Sequence, residues 1–308
     1  MQDVQGKTAF ITGGASGMGL GMAKAFARAG MKVAIADIRK DALDEALKEH
    51  FSDTNFDVHG IPLDVTSREQ WVQAADEAEA RFGKVHLLVL NAGVGVIVPM
   101  QEATYKDWDF CMGVNVGGTI NGLVTMLPRM LAHGEPGHVV ATSSTGGFSA
   151  VGGAGLYCTA KFAVAGMMES LATDLKGTPI RASVFFPGPV QTSLGQTTFD
   201  VRPSHLRNEA TGDGGPAYRR PPRPGADPSL FMTSEEVGER VLRGILNDDL
   251  MIMSHPEFRA GIVARNEALL RAIPQEEPNT ARHEMLKAFG TLLYNPIYDE
   301  QKQVVTPA

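Results

Sequence analysis

The chain has only two cysteines in 308 residues, Cys111 and Cys158, so no disulfide framework holds it, and its cysteine usage fits a reducing compartment. It also lacks a basic run. Its 28 lysines and arginines are outnumbered by 35 acidic residues, and a charge of -7 with a pI near 5.6 leaves no footprint for a phosphate backbone. Nucleic acid is therefore not an expected partner. No apolar stretch approaches the ~20 residues of a bilayer span. The opening Met1-Gln2-Asp3-Val4 has neither the basic nor the apolar part of a signal peptide. The expectation is a cytoplasmic protein with no membrane partner and no metal site. Neither disorder nor a polyelectrolyte fits, because 43% of the residues are hydrophobic and 20% charged, enough to build a substantial core.

What is present is an alternation. Short apolar runs (Thr8-Ala9-Phe10-Ile11-Thr12, Val33-Ala34-Ile35-Ala36, the stretch around Ile61-Pro62-Leu63, Leu87-Leu88-Val89-Leu90, Val139-Val140-Ala141-Thr142, Ala182-Ser183-Val184-Phe185-Phe186) are separated by helix-length segments. Helices are predicted over 18–29, closing at Gly30, over 41–50, over about 156–176 and over 234–247, and a last short strand over 250–253. Near-continuous apolar strands between helices predict a parallel sheet covered on both faces, hence a doubly wound, Rossmann-type α/β fold. Residues 202–228 break the pattern with six prolines and four glycines. That composition suits a disordered insertion or a lid over a pocket, and neither a central strand nor a regular helix. Helical patterning returns over 256–272 and 281–289.

The segment Thr12-Gly13-Gly14-Ala15-Ser16-Gly17-Met18-Gly19 lies between the first strand and the first helix. Glycines there let the backbone approach a pyrophosphate, while the helix start offers unpaired N–H groups and a favourable dipole. A tight strand-to-helix turn would explain the glycines equally well. Asp37 separates the two readings, because it ends the second strand near the offset at which a carboxylate accepts both ribose hydroxyls of adenosine. The same carboxylate repels a 2′-phosphate, which favours NAD over NADP. Arg39 could turn toward such a phosphate, but a solvated charge at the start of a charged helix is the simpler reading.

Tyr157 and Lys161 stand four apart in a helical segment, on one face. An ammonium near a phenol favours phenolate and fits the tyrosine for proton exchange near neutral pH. Thirteen residues earlier, Ser144 follows a strand end, where the ligands of open α/β sheets bind. Ser143 is an alternative hydroxyl, disfavoured by spacing.

In order and context, these motifs resemble the short-chain dehydrogenase/reductase family from residue 8 to about 194, and more loosely to about 253. The match includes the loop residues Gly13, Ser16, Gly17, Met18 and Gly19, Asp64-Val65 after the third strand, Asn91-Ala92-Gly93 after the fourth, Asn115, and Pro187-Gly188-Pro189-Val190-Gln191-Thr192. The resemblance implies an NAD-dependent oxidoreductase acting on an alcohol or ketone. Tyr157 would be general base, Ser144 would hold the substrate oxygen, Lys161 would tune Tyr157 and bind the nicotinamide ribose, and Asn115 would support a water. Pro187, Gly188, Val190 and Thr192 would hold the nicotinamide, and Asp64 and Val65 the adenine. It also implies homodimers or homotetramers. His86, Leu90 and Met18 depart from the family's usual residues without removing a catalytic group, and His86 reads as structural.

Pocket residues are expected around 94–98, 145–151 and 189–199 and in a substrate loop over 196–230, within a first unit of residues 1–253. Residues 254–308 would form a C-terminal helical extension packed on the same domain. Phe148, Leu194 and Phe199 favour a bulky, apolar or aromatic secondary alcohol, and the five arginines between 202 and 223 read as solvated. The long C-terminal part, Gly137-His138-Val139-Val140 and His255-Pro256-Glu257-Phe258-Arg259 resemble bacterial dehydrogenases of benzylic alcohols in lignin-derived aryl ethers. Other readings are a noncatalytic NAD-binding sensor or scaffold, a reductase of steroid-like or other bulky ketones, and an epimerase or dehydratase. The Gly13, Gly17, Gly19 spacing departs from the loop of the last.

Overall fold

A computed structural model of the chain describes residues 1, 3–52, 54–209 and 227–302. Strands β1 (Thr8–Thr12), β2 (Lys32–Asp37), β3 (Val58–Pro62), β4 (Leu87–Leu90), β5 (Gly137–Thr142), β6 (Ile180–Phe186) and β7 (Met251–Met253) form one parallel sheet in the order β3-β2-β1-β4-β5-β6-β7. The order reverses between β1 and β4, which opens a crevice at their C-terminal ends. Thr12 and Asn91 lie there.

Ten helices occur among the described residues: α1 (Gly17–Arg28), α2 (Lys40–His50), α3 (Arg68–Phe82), α4 (Tyr105–Met112), α5 (Gly118–His133), α6 (Gly155–Asp174), α7 (Leu194–Asp200), α8 (Ser234–Asn247), α9 (Arg259–Arg271) and α10 (Thr280–Lys287). Their ends follow local chemistry. Ser67 accepts from the Gln70 N–H at the start of α3, Thr233 and Glu236 form a capping box on α8, and Gly134 takes the left-handed conformation that ends α5.

All five residues of β1 are buried because the sheet is covered on both sides. Phe10 joins Trp71, Leu88 and Val139 on one face; Ile11 joins Met22, Phe26 and Val237 on the other. On that second face α1 and α8 meet backbone to backbone: a Cβ at Gly21 would stand 1.8 Å from the Ser234 carbonyl oxygen. Residues 105–133 run as one helix, long and apolar enough to cross a bilayer by length and composition. Yet Thr119, Gly122, Met126 and Met130 are buried within the fold, so core packing accounts for its apolar face.

His86, buried between the strands, accepts the Thr8 N–H at its Nδ1 (3.2 Å) and pairs through Nε2 with Glu135 (3.0 Å). Burial holds its pKa below the usual histidine range, against the pull of Glu135. It thus ties β1 to β4, a structural role.

After β7, Ser254 and Phe258 still pack on the body, against Phe186 and Phe148, and the chain turns to the surface from Arg259. α9 and α10 bury no residue, and Leu269, Leu270, Ile273, Phe289 and Leu292 are exposed, although the Arg265 guanidinium reaches the Phe162 ring of α6 (5.7 Å). The next stretch returns: Ile297 is buried, Asn295 donates to Thr173, and Gln301 accepts the Met251 N–H (2.7 Å).

Candidate active site

The glycine loop is shaped by close contacts. Gly13 and Gly17 adopt φ of 65° and 51°, and a Cβ at Gly19 would stand 2.0 Å from the Gly13 carbonyl oxygen. Ser16 starts α1 without a side-chain cap, and the first turn holds no acidic residue, so its leading N–H groups remain available to an anion.

A cavity of about 390 Å³ opens above this loop. Of the residues expected to bind cofactor, Gly13, Ser16, Gly17, Met18, Asp37, Asp64, Val65, Asn91, Ala92, Gly93 and Thr192 line it. Gly19, Tyr157, Lys161, Pro187, Gly188 and Val190 do not. Gly19 shapes the loop from beneath. The Gly188 N–H donates to Ser254 Oγ (2.7 Å) and the Pro187 carbonyl accepts the Thr145 N–H (3.0 Å), which fixes the segment leading to Thr192. Asn91 also braces three strands: its amide donates to the Thr12 carbonyl (3.0 Å), and its Oδ1 accepts the Thr142 hydroxyl (3.1 Å).

Asp37 ends β2, nearly buried, at the wall of the cavity. Arg39 differs from the solvated charge expected. Its Nε donates to Asp37 Oδ1 (3.2 Å) and its Nη2 to Ser16 Oγ (2.7 Å), so it spans the loop and the carboxylate and lines the cavity.

None of the four expected catalytic residues lines the cavity, but Asn115 and Lys161 stand behind its wall at Gly93. A Cβ there would meet Asn115 Oδ1 at 2.7 Å and Lys161 Nζ at 3.4 Å. Asn115 sits in a one-turn π-helical widening, Gly113–Gly117, a device that interrupts a helix where a side chain must be placed. Its Nδ2 donates to the carbonyls of Cys111 (2.9 Å) and Val94 (3.0 Å), and its Oδ1 accepts the Val94 N–H. On α6, Lys161 Nζ donates to the Thr142 carbonyl (2.9 Å) and lies 5.6 Å from the centre of the Tyr157 ring. The Ser144 hydroxyl is near enough to the Tyr157 phenol to favour its charged form, and its Oγ accepts the Gly146 N–H (3.1 Å). Ser143 is turned away: its hydroxyl donates to the Lys161 carbonyl (2.7 Å).

The electrostatics depart from expectation in one respect. Burial pushes the Tyr157 phenol up, and the group that opposes this is Ser144 rather than Lys161. Lys161, buried and aimed at Thr142, is itself lowered to about 8 by desolvation. The nearby Cys111 thiol is pushed up to about 11 by burial, so it stays protonated and inert near neutral pH.

Sequence reasoning missed Asp109, Phe110, Gly113 and Val114 on the long helix, whereas Val201, Pro203, His205 and Leu206 fall in the expected substrate loop; all eight line the cavity. A Thr104-to-Asp107 capping pattern was a readable signal for the start of that helix. Arg219, Arg220 and Arg223 lie outside the described residues, as does most of the 202–228 insertion.

A parallel sheet with a glycine loop at its crevice and a serine, tyrosine and lysine beside it defines a dinucleotide-dependent oxidoreductase. The chain belongs to the short chain dehydrogenase family, whose model matches residues 7–202. It is similar to the C alpha-dehydrogenase of Sphingobium sp. (strain NBRC 103272 / SYK-6), 38% identical over 301 residues and covering 94% of this chain and 95% of that one. Among solved structures it resembles LigO in its apo form, from Sphingobium sp. strain SYK-6 (39% identity, TM-score 0.74, 94% of this chain and 97% of that one). It also resembles a short chain dehydrogenase/reductase from Burkholderia phymatum in complex with NAD (32% identity, TM-score 0.80, 91% and 100%). The expected fold, family and enzyme class, and the closer likeness to C alpha-dehydrogenases, agree with these relatives.

Proposed function

We propose that the chain oxidises a secondary alcohol whose carbinol carbon is benzylic, with NAD as acceptor. The observation that carries this is the nearness of the Ser144 hydroxyl to the Tyr157 phenol, with Lys161 one turn on and against the Gly93 wall of a groove lined by the glycine loop. Tyr157 takes the hydroxyl proton, Ser144 holds the oxygen that becomes the ketone, and Lys161 and Asn115 hold the ribose side and a water. NAD supplies the hydride acceptor when bound, and the protein contributes position and electrostatics. Gly13, Ser16, Gly17 and Met18 would hold the pyrophosphate, Asp37 the adenosine ribose, Asp64 and Val65 the adenine, and Pro187 to Thr192 the nicotinamide. Asp37 supports NAD; Arg39 is the residue through which NADP would be accepted.

A benzylic substrate is supported by the likeness to the C alpha-dehydrogenase over nearly the whole chain and by Val94, Phe110, Leu194 and Leu206 in the cavity wall. Residues 1–253 would carry cofactor and catalysis, with 196–230 as substrate loop and 254–308 as extension. Homodimers or homotetramers are supported by the apolar surface of α5 (Ile120, Val124, Leu131) and of the α9–α10 arm, since exposed apolar patches mark association. A cytoplasmic site fits two free, buried cysteines.

The test is NADH formation from NAD across benzylic, steroidal, aliphatic and sugar-like secondary alcohols. Turnover is expected on the benzylic members; turnover confined to another class would overturn the substrate, and parallel assays with NADP would expose an error in the cofactor. Sedimentation measures the assembly.

A further inference from the structure

Asp107, in the first turn of α4, is fully buried, and a buried carboxylate is costly unless its oxygens are paired. Two of its donors are local: the Thr104 N–H (2.9 Å) and hydroxyl (2.7 Å) complete the helix cap. The others come from the far end of the fold. Arg202 Nη2 donates at 2.8 Å, and Asn208 Nδ2 lies 2.9 Å and 3.1 Å from the two carboxylate oxygens. Burial alone would raise the Asp107 pKa, but these hydrogen bonds outweigh it and hold the carboxyl below its ordinary range, so the group is charged near neutral pH.

The segment between the two distant donors is knitted to itself. Arg202 Nε donates to the Leu206 carbonyl (2.8 Å), Arg207 Nε to the Arg202 carbonyl (3.0 Å), and the Arg202 guanidinium covers the Phe110 ring (5.3 Å). Lys106 on α4 adds a bond to the Arg207 carbonyl (3.1 Å). Pro203, His205 and Leu206 of this segment, with Val201 just before it and Phe110 on α4, form part of the cavity wall. Residues 202–208 are thus a cap across the groove, fastened at both ends to one buried charge. A helix cap needs only one acceptor, and the carboxylate's remaining valence is spent wholly on the cap segment.

Resting on the dinucleotide reading of the groove, we propose that Asp107 is a positioning residue that latches residues 202–208 over the bound cofactor and so sets the rate at which the cofactor leaves. The measurement is NADH dissociation by stopped-flow nicotinamide fluorescence, with melting temperature and the split of kcat from KM for NAD read on the same proteins. Asp107→Asn and Arg202→Met should each raise the dissociation rate roughly tenfold or more, as breaking one partner of a buried ion pair does elsewhere. The double variant should be less impaired than the sum of the singles, because neither charge is left unpaired. Asn208→Ala, which strands no charge and keeps the cap of α4, should raise the rate severalfold even if Asp107→Asn fails to fold. Dissociation rates within twofold of wild type in the folded variants, with only the melting temperature lowered, would overturn the latch and leave Asp107 a structural residue. A wild-type protein that binds no NADH would instead overturn the dinucleotide reading and the inference with it.

Discussion

Ser143 and Ser144 are adjacent, both buried, and chemically identical, yet the structure assigns them opposite roles. Ser144→Ala removes the hydroxyl that meets the Tyr157 phenol, and the Gly146 N–H loses its acceptor at 3.1 Å. Removing one donor aimed at the reacting oxygen costs on the order of 10²–10³ in kcat, or about 3–4 kcal/mol of transition-state stabilisation. Since Ser144 also opposes the upward push of burial on Tyr157, the pH profile of the variant should move to the alkaline side. Ser143→Ala instead strips the Lys161 carbonyl of a partner at 2.7 Å in a fully buried site. That carbonyl lies inside α6 and keeps its helical N–H, so the loss is one hydrogen bond, about 1 kcal/mol, which lowers the melting temperature by a few degrees in a domain of this size. Its turnover at 25 °C should remain within a fewfold of wild type. The assay is NADH formation followed by absorbance, alongside thermal melts of both variants. Loss of turnover in Ser143→Ala with retention in Ser144→Ala would refute the assignment.

Gly19→Ala would drive a Cβ to 2.0 Å from the Gly13 carbonyl oxygen, and backbone cannot yield as a side chain can. NAD binding, measured by fluorescence titration, should weaken at least tenfold, whereas Gly21→Ala, equally crowded but against Ser234, should lower the melting point with less effect on NAD affinity. Lys161, lowered to about 8 in the fold, binds its proton less readily than in the unfolded chain, where its ordinary value is about 10.5. Its burial therefore opposes folding fully below pH 8, and the penalty is relieved as pH rises from 8 to 10.5, by roughly 3 kcal/mol at the limit. Denaturant melts of wild type minus Lys161→Met should show that rise; a flat difference would contradict it. Asp37→Ala should narrow the ratio of kcat/KM for NAD over NADP, since Arg39 remains to meet a 2′-phosphate; an unchanged ratio would remove Asp37 from cofactor selection.

Much of the fold was legible because its signals are local. The apolar runs at Leu87–Leu90 and Ile180–Phe186 are strands, and the helix over Ser234–Asn247 ends where its pattern ends. The candidate catalytic set was chosen through order and spacing, and the fold agrees with the placement: Tyr157 and Lys161 share a helix, and Ser144 follows β5. What escaped depends on contacts between distant segments or on chemistry with no period. Asp107 and Arg202 are 95 positions apart, and nothing in either neighbourhood announces the other. The π-helical widening at Asn115 leaves no mark on residue pattern. Arg39 looked solvated because the start of a charged helix usually is; only the fold brings Ser16 to its guanidinium. Along α9 the apolar residues suffice to suggest a helix but do not define one buried face, which agrees with its exposed course.

The central claim, that the Tyr157 phenol moves the proton in an alcohol oxidation, is tested most directly by Tyr157→Phe. NADH formation from NAD and a benzylic secondary alcohol should fall by on the order of 10²–10⁴, the contribution of a positioned acid–base group, while NADH binds within a fewfold of wild type. Substantial turnover in the folded, NADH-binding variant would contradict the account.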